Sequence, residues 1–443
     1  MRIKEQIRIP EDALQILRTL RSAGFEAFVV GGCVRDMQLG RQPHDWDITT
    51  NAQPMEVKSL FERTIDTGLK HGTVTVMCGT EGYEVTTYRV DGIYEDGRHP
   101  SEVTFTTSLA EDLKRRDFTI NAMAYSEETG VVDLFGGIQD LASGIVRAVG
   151  DPAARFSEDA LRIMRAFRFA AQLGFTVEEH TCLAAKELAH TLQKISSERV
   201  RDELEKMLLS PRPDMVRALY EAGITAVVLP EFDRCMETPQ NNPHHCGNVG
   251  EHTLISLMNV RADKVLRLTM LLHDMGKPLC RTTDDKGVDH FYGHPAISEQ
   301  IAGAVLRRLK YDNDTIRKVT TLVLNHDRGV RLTPAGVRKA IVAVGEDLFP
   351  LFLEVKKADL YAQSEYLREE KQDFLSQLTK LYEEIIARGD CLSLRTLAVK
   401  GSDLISAGVK PGKELGSILA RMLDDVLAEP NHNNKEYLMD RYV

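Results

Sequence analysis

The chain has 443 residues, 43% of them apolar and 28% charged, an ordinary balance for a globular protein with room for roughly three domains of ~150 residues each. A net charge of −10 argues against a surface coated for nucleic acid, yet permits a local basic track, because phosphate contacts respond to the local field. No apolar run approaches the ~18 residues of a membrane span, so no membrane association is expected.

The start, MRIKEQIRIPEDALQ, is charged and amphipathic and lacks the apolar centre of a signal peptide. Seven cysteines without a C-x-x-C pair suit reduced thiols and a cytoplasmic location. Residues 11–22 read as an amphipathic helix with Leu14, Ile16, Leu17 and Leu20 on one side and Gly24 as its stop. Residues 27–30 form a short buried strand, broken by Gly31-Gly32. One or two helical turns at 34–39 close at Gly40, and strands follow at 46–49, 73–78 and 83–90. Beyond Glu158 nearly every segment is helical, with brief Pro/Gly punctuation and no repeat. The architecture expected is a small α+β head followed by a long helical body.

Alternate residues of a strand share a face, so Asp45 and Asp47 should project together while Trp46 turns to the core. Two adjacent carboxylates repel unless a cation lies between them, and oxygen-only ligation suits Mg²⁺, which takes one or two carboxylates plus phosphate oxygens and water. The Gly31-Gly32 turn allows backbone to approach a phosphate, and Arg35 just beyond it can neutralise phosphate charge. Glu84 is a weaker candidate for a third carboxylate. Taken singly, a GG is merely a turn and a D-x-D a cap or solvated loop. Their occurrence in order, with strands and an Arg-Asp pair, is far more specific.

The segments VVGGCVRD, DWDI, RRDFTINAMA, DLFGGIQDL and EDALRIMRAFRF, in that order, resemble the motif set of the class II tRNA nucleotidyltransferases. That family contains CCA-adding enzymes and bacterial poly(A) polymerases. The resemblance runs from about Phe28 to the helices near Pro230 and resumes in KGSDLISAGVKPGKELGSIL. It implies a polymerase-β-like head in which Asp45 and Asp47 hold two Mg²⁺ ions. The implied reaction is in-line attack of a tRNA 3′-hydroxyl on the α-phosphate of CTP or ATP, with release of pyrophosphate and no nucleic-acid template. Gly32 and Arg35 would then admit and grip the triphosphate.

EDALRIMRAFRFAAQLGF reads as a helix with Ser157 as N-cap and Gly174 as its end. Asp159, Arg162, Arg165 and Arg168 recur along it every three residues. They could be a dipole-complementing acid and a solvated arginine face. They could also read a base. Cytosine and adenine present an amine donor beside a ring-nitrogen acceptor, which Asp159 and Arg162 match; guanine and uracil present the reverse. The family assigns this role to its matching E-D-x-x-R residues. Arg116, Arg165 and Arg168 would bind triphosphate or keep the pocket positive, while Arg115 could be a plain surface charge. The stretch VDGIYEDGRHPSEVTF reads as a surface loop, and its family equivalent is a flexible element of enzymes that add the terminal A.

Further on, His252, the pair His273-Asp274 on an apolar helix, His294, His326 and Asp359 occur in order. Each alone could be an ordinary surface or core residue, but a His-Asp pair is costly to bury without a metal or a hydrogen-bonded partner. The series resembles the HD phosphohydrolase superfamily, which implies His252, His273, Asp274 and Asp359 as ligands and His294 and His326 as second-metal or phosphate contacts. Mn²⁺, Fe²⁺, Ni²⁺ and Co²⁺ all suit mixed His/carboxylate ligation.

The expected organisation is therefore a head at 1–150, a base-reading neck and helical body at 151–232, an HD domain at 233–375 and a C-terminal helical tRNA-binding tail at 376–443. The body that contains the HD domain is expected to be elongated and all-α. CCA addition is the leading reading. An A-adding or poly(A)-adding enzyme, or an HD hydrolase whose head mainly binds RNA, stays open, as does the oligomeric state.

Overall fold

The computed structural model describes residues 9–92 and 103–443, and two compact units meet in sequence at Pro230/Glu231. In the first, α1 (Glu11–Ser22) buries Ile16, Leu17 and Leu20 of the expected stripe, with Ala13 buried in place of the half-buried Leu14. It precedes β1 (Ala27–Val30) and α2 (Gly32–Gln38), which begins two residues earlier than anticipated. β2 spans Ile48–Thr50, not 46–49, and is followed by α3 (Pro54–Leu60) and β3 (Thr64–Gly68). The β2 ladder starts only where both neighbours can pair, with Ile48 opposite Val29 on one side and Val85 on the other. Asp45 and Asp47 thus precede the strand.

β4 (Thr73–Cys78) and β5 (Glu81–Thr87) form a hairpin. A short ribbon, β6 (Arg89–Asp91) and β7 (Val103–Phe105), takes up what had read as the end of the 83–90 strand. The reading of 90–105 as a flexible element falls largely on residues 93–102, outside the described residues. Then come α4 (Leu109–Lys114), β8 (Met123–Ser126), β9 (Gly130–Asp133) and α5 (Gly137–Ser143). The seven-stranded sheet has the order β3-β4-β5-β2-β1-β8-β9, with β2 and β5 parallel and the other pairs antiparallel.

The expected single helix at 158–173 is two. α6 (Pro152–Glu158) starts at Asp151, whose carboxylate accepts from the N–H groups of Ala153 and Ala154, so Ser157 lies inside a helix and caps nothing. The chain then straightens at Asp159 (φ −140°, ψ 104°) before α7 (Leu161–Leu173), which ends at left-handed Gly174 as anticipated. α8 (Glu179–Leu188) and α9 (Ser197–Leu208) follow, with α9 packed on α7.

The second unit is mostly α-helical. Helices Val249–Met258, Lys264–Leu272, His294–Arg308, Asn313–Asn325 and Phe349–Ala362 carry or flank the histidine series. One apolar core runs from Leu322 through Phe349, Phe352, Leu378 and Met422 to Leu438. Among the described residues no helix is long and apolar enough to cross a membrane.

Candidate functional site

The glycine turn opens the first site. Gly31 adopts φ +82°, and a side chain there would meet Arg116 Nη1 at 3.0 Å, so glycine serves both the backbone and the close approach of the arginine. Beside the turn, Trp46 is 7% exposed while Asp45 and Asp47 face outward. The alternation read from sequence therefore holds even though the strand begins at Ile48. The Ile48–Val85 pairing sets Glu84 level with Asp47 on the neighbouring strand.

Surrounding protein withdraws water from Asp47 and raises its pKa; Arg116 opposes the shift and Asp45 adds to it. Glu84 is raised likewise, by partial desolvation and then by Asp47 and Asp45. Asp45, Asp47 and Glu84 together offer hard oxygen donors, a set suited to Mg²⁺ with phosphate oxygens.

The arginines around this site are held by partners. Arg116 and Arg115 both pair with Asp112, at 3.5 and 2.8 Å, and Thr49 Oγ1 donates to the same carboxylate at 3.1 Å. Asp112 is fully buried; burial alone would raise its pKa, but the two guanidinium groups bring it below the ordinary range. Arg35 donates to Asp36 at 2.9 Å and to Asn121 at 2.8 Å. Asn121 in turn donates to Asp117 at 3.1 Å, and Asp117 accepts Arg165 at 2.9 and 2.6 Å. Burial would raise Asp117, yet Arg165 beside it holds the carboxyl down at about 2. Arg35, Arg165 and Arg168 surround the Phe169 ring at 5.1, 5.3 and 3.7 Å from its centroid. Arg168 is buried and committed to Glu203 at 2.5 Å and Gln172 at 2.7 Å.

At the α6–α7 junction, Asp159 Oδ1 accepts the Leu161 N–H at 3.0 Å and Oδ2 accepts Arg199 at 2.7 Å. Arg162 donates to Glu158 at 2.6 Å and to the carbonyls of Arg155 and Arg115, both at 3.2 Å. Sequence reading missed Asp112, Asn121 and Arg199. The first stands three residues before the Arg115-Arg116 pair and the second inside a motif already singled out, whereas Arg199 lies in a charged helix with nothing to distinguish it.

In the second unit the separated residues converge. His252 Nε2 lies 2.8 Å from Asp359 Oδ1 and 3.3 Å from His273 Nε2, and His273 Nε2 lies 3.2 Å from Asp274 Oδ2. The other Asp274 oxygen faces His294 and His326 Nε2 at 3.4 and 3.5 Å. Two buried triads with metal-ligand spacing, His252/His273/Asp274 and Asp274/His294/His326, therefore share one carboxylate. Neither Asp274 oxygen receives a well-aligned hydrogen bond, although Lys277 Nζ stands 2.7 Å from Oδ2. Burial would lower the His273 pKa, but Asp274 and Asp359 push it up to about 10: the carboxylates draw positive charge into the cluster. The cluster opens into a cavity of about 620 Å³ lined also by His244, His245, Tyr292 and Lys371.

Gly276, just after the His-Asp pair, donates its N–H to Ser298 Oγ at 2.9 Å. A Cβ there would meet Ser298 N at 2.6 Å and His294 O at 2.7 Å. The missing side chain lets helix His294–Arg308 close on the turn.

The "Poly A polymerase head domain" model matches residues 27–147, the model described as "Probable RNA and SrmB- binding site of polymerase A" matches 174–236, and that described as "tRNA nucleotidyltransferase domain 2 putative" matches 291–441. A CCA-adding enzyme of Lactobacillus helveticus is 57% identical over 220 residues, 50% of this chain and 55% of that protein. The chain thus spans about half the length of that relative. One of Levilactobacillus brevis is 37% identical over 439 residues, covering 97% of this chain and 98% of the relative. The crystal structure of the Bacillus stearothermophilus CCA-adding enzyme in complex with CTP superposes with a TM-score of 0.70 at 29% identity, covering 97% of both chains. The Thermotoga maritima enzyme complexed with tRNA shares the fold, with a TM-score of 0.59 at 21% identity over 98% of this chain and 96% of that one. By full-length similarity and by the arrangement of its head, this chain is a class II nucleotidyltransferase of the CCA-adding enzyme and poly(A) polymerase family.

Proposed function

We propose that the protein completes the 3′-CCA end of tRNA from CTP and ATP, without a nucleic-acid template. The observation that carries this reading is the acidic group of Asp45, Asp47 and Glu84 beside β2, facing Arg116 across the Gly31 turn. Asp45 and Asp47 would hold Mg²⁺, whose chemistry there would be activation of the attacking 3′-hydroxyl and neutralisation of the leaving oxygen. The chain's own groups do the rest. The open backbone at Gly31-Gly32 and the cations Arg35, Arg116 and Arg165 bind the triphosphate, with Arg168 keeping the pocket positive from behind Phe169. Asp159 accepts from the exocyclic amine and Arg162 donates to the ring nitrogen, which admits C and A and refuses G and U.

The division into a head at 1–150, a neck at 151–232, a metal-cluster segment at 233–375 and a tRNA-binding tail at 376–443 belongs to the same reading. So does the cytoplasmic location, which seven unpaired cysteines support. The deciding assay offers a tRNA transcript ending at the discriminator base, Mg²⁺, and each nucleotide alone and combined. C alone from CTP and CCA from the pair is expected; an A-only or poly(A) product refutes the reading.

The cluster in the second unit supports a second activity of a different class, an HD-type metal-dependent phosphohydrolase. Its donor set of imidazoles and carboxylates, with both Asp274 oxygens short of aligned donors, suits Mn²⁺, Fe²⁺, Ni²⁺ or Co²⁺. His252, His273, Asp274 and Asp359 would hold the first ion and Asp274, His294 and His326 a second. Metal analysis of the full chain should find a transition metal that Asp274→Ala loses; a cluster that stays metal-free with all four ions supplied is architectural.

A further inference from the structure

Neither half of the proposed base-reading pair stands free. Arg162 is anchored by Glu158 and two backbone carbonyls, and Asp159 by the Leu161 N–H and by Arg199. Arg199 approaches with both terminal nitrogens, Nη2 at 2.7 Å from Oδ2 and Nη1 at 3.4 Å from Oδ1. It comes from α9, the helix whose Glu203 also holds Arg168, and Arg165 at 4.0 Å. Asp159 itself sits in extended backbone between two helices, its N–H on the Arg155 carbonyl and its own carbonyl accepting the Arg162 N–H, so the backbone is held while only side-chain contacts aim the carboxylate.

From this geometry we infer that Arg199 is a positioning residue for nucleotide selection, acting through Asp159. A carboxylate offers about four acceptor sites on two oxygens. Leu161 takes one and the Arg199 fork takes up to two more, so the orientation that meets an incoming exocyclic amine is set by these contacts. Without the fork the carboxylate keeps only its single backbone contact and turns about its own bond. It then meets the carbonyl edge of U or G less unfavourably, because the repelling oxygen can swing away. Arg165 and Arg116 touch neither Asp159 oxygen through such a fork, so their loss slows all nucleotides alike. The inference rests on the reading of Asp159 as the amine acceptor.

The test measures kcat and KM of the full chain for CTP, ATP, UTP and GTP on a tRNA lacking its CCA end. Wild type is compared with Arg199→Ala, Arg199→Lys and Asp159→Ala, and thermal melting checks each fold. Arg199→Ala should lower kcat/KM for CTP and ATP by about tenfold or more and narrow their preference over UTP and GTP by about tenfold, chiefly through KM. Arg199→Lys keeps the charge without the planar fork and should recover part of that preference. A merely structural role would depress all four nucleotides in proportion and leave the ratios within twofold of wild type, and that result overturns the inference. If Asp159→Ala also leaves the ratios unchanged, the base reading itself falls; if Asp159→Ala relaxes them and Arg199→Ala does not, only the role of Arg199 falls. Should Arg199→Ala fail to fold, Arg199→Lys decides: unchanged ratios in that folded variant refute the inference.

Discussion

Changing Asp117 to Asn removes one charge from the centre of the head-to-neck network and leaves its shape. Asp117 is half-buried, accepts the Phe118 N–H at 2.8 Å and Asn121 at 3.1 Å, and meets Arg165 with two short bonds. Its carboxyl sits at about 2 against an ordinary 3.8. At ~1.4 kcal/mol per pH unit that depression corresponds to about 2 kcal/mol of folding stability near neutral pH. Because the folded pKa is the lower one, the contribution is fully present above about pH 4 and is lost as pH falls through about 2. Denaturant unfolding of wild type and Asp117→Asn from pH 7 to pH 2.5 should show a gap of about 2 kcal/mol that begins to close below pH 4. The variant should also add nucleotides more slowly, without a change of base preference, since Arg165 loses its anchor. A stability gap that is absent at pH 7, or constant down to pH 2.5, refutes the assignment of this ion pair.

Asp45→Asn and Asp47→Asn should each cut nucleotide addition by at least ~10²-fold while melting near wild type, as expected for outward-facing carboxylates that meet charge only in the reaction; steady-state kinetics checks this. Gly31→Ala forces a left-handed residue and crowds Arg116, so KM should rise evenly for all four nucleotides, measurable in the same assay. His326→Ala should remove metal only from the triad it belongs to, whereas Asp274→Ala should empty both; elemental analysis of the purified full-length variants distinguishes one ion lost from two.

Local periodicity carried much of the head. The stripe of α1, the apolar run of β1 and the alternation of β5 are visible because burial follows the period of the element. β3 escaped notice because its TIDTG segment is largely solvent-facing and shows no apolar alternation. β8 and β9 lie around RRDFTINAMA, where motif residues mask the pattern. Asp45 and Asp47 were legible by their alternation about Trp46, although the strand starts two residues later than read, at Ile48. The break at Asp159 was not legible, because an upstream cap, Asp151, had already started a helix that swallowed Ser157. Nor was Arg199, since its partner lies 40 residues away in the chain. The histidine cluster was readable as an ordered series, yet only tertiary packing reveals that Asp274 stands in both triads.

Gly276 makes that sharing a matter of one absent methyl group. The turn bearing His273 and Asp274 and the helix bearing His294 touch backbone to backbone at this position, so the gap between the triads has no slack. Any larger residue would wedge the helix outward and carry His294 away from Asp274, while His273 beside Asp274 and His252 on its own helix keep their places. The glycine therefore works as a spacer of zero thickness. On the proposed metal reading it would set how many ions the cluster accommodates without contributing a ligand atom, and substitution there would turn a paired centre into a solitary one with every coordinating side chain intact.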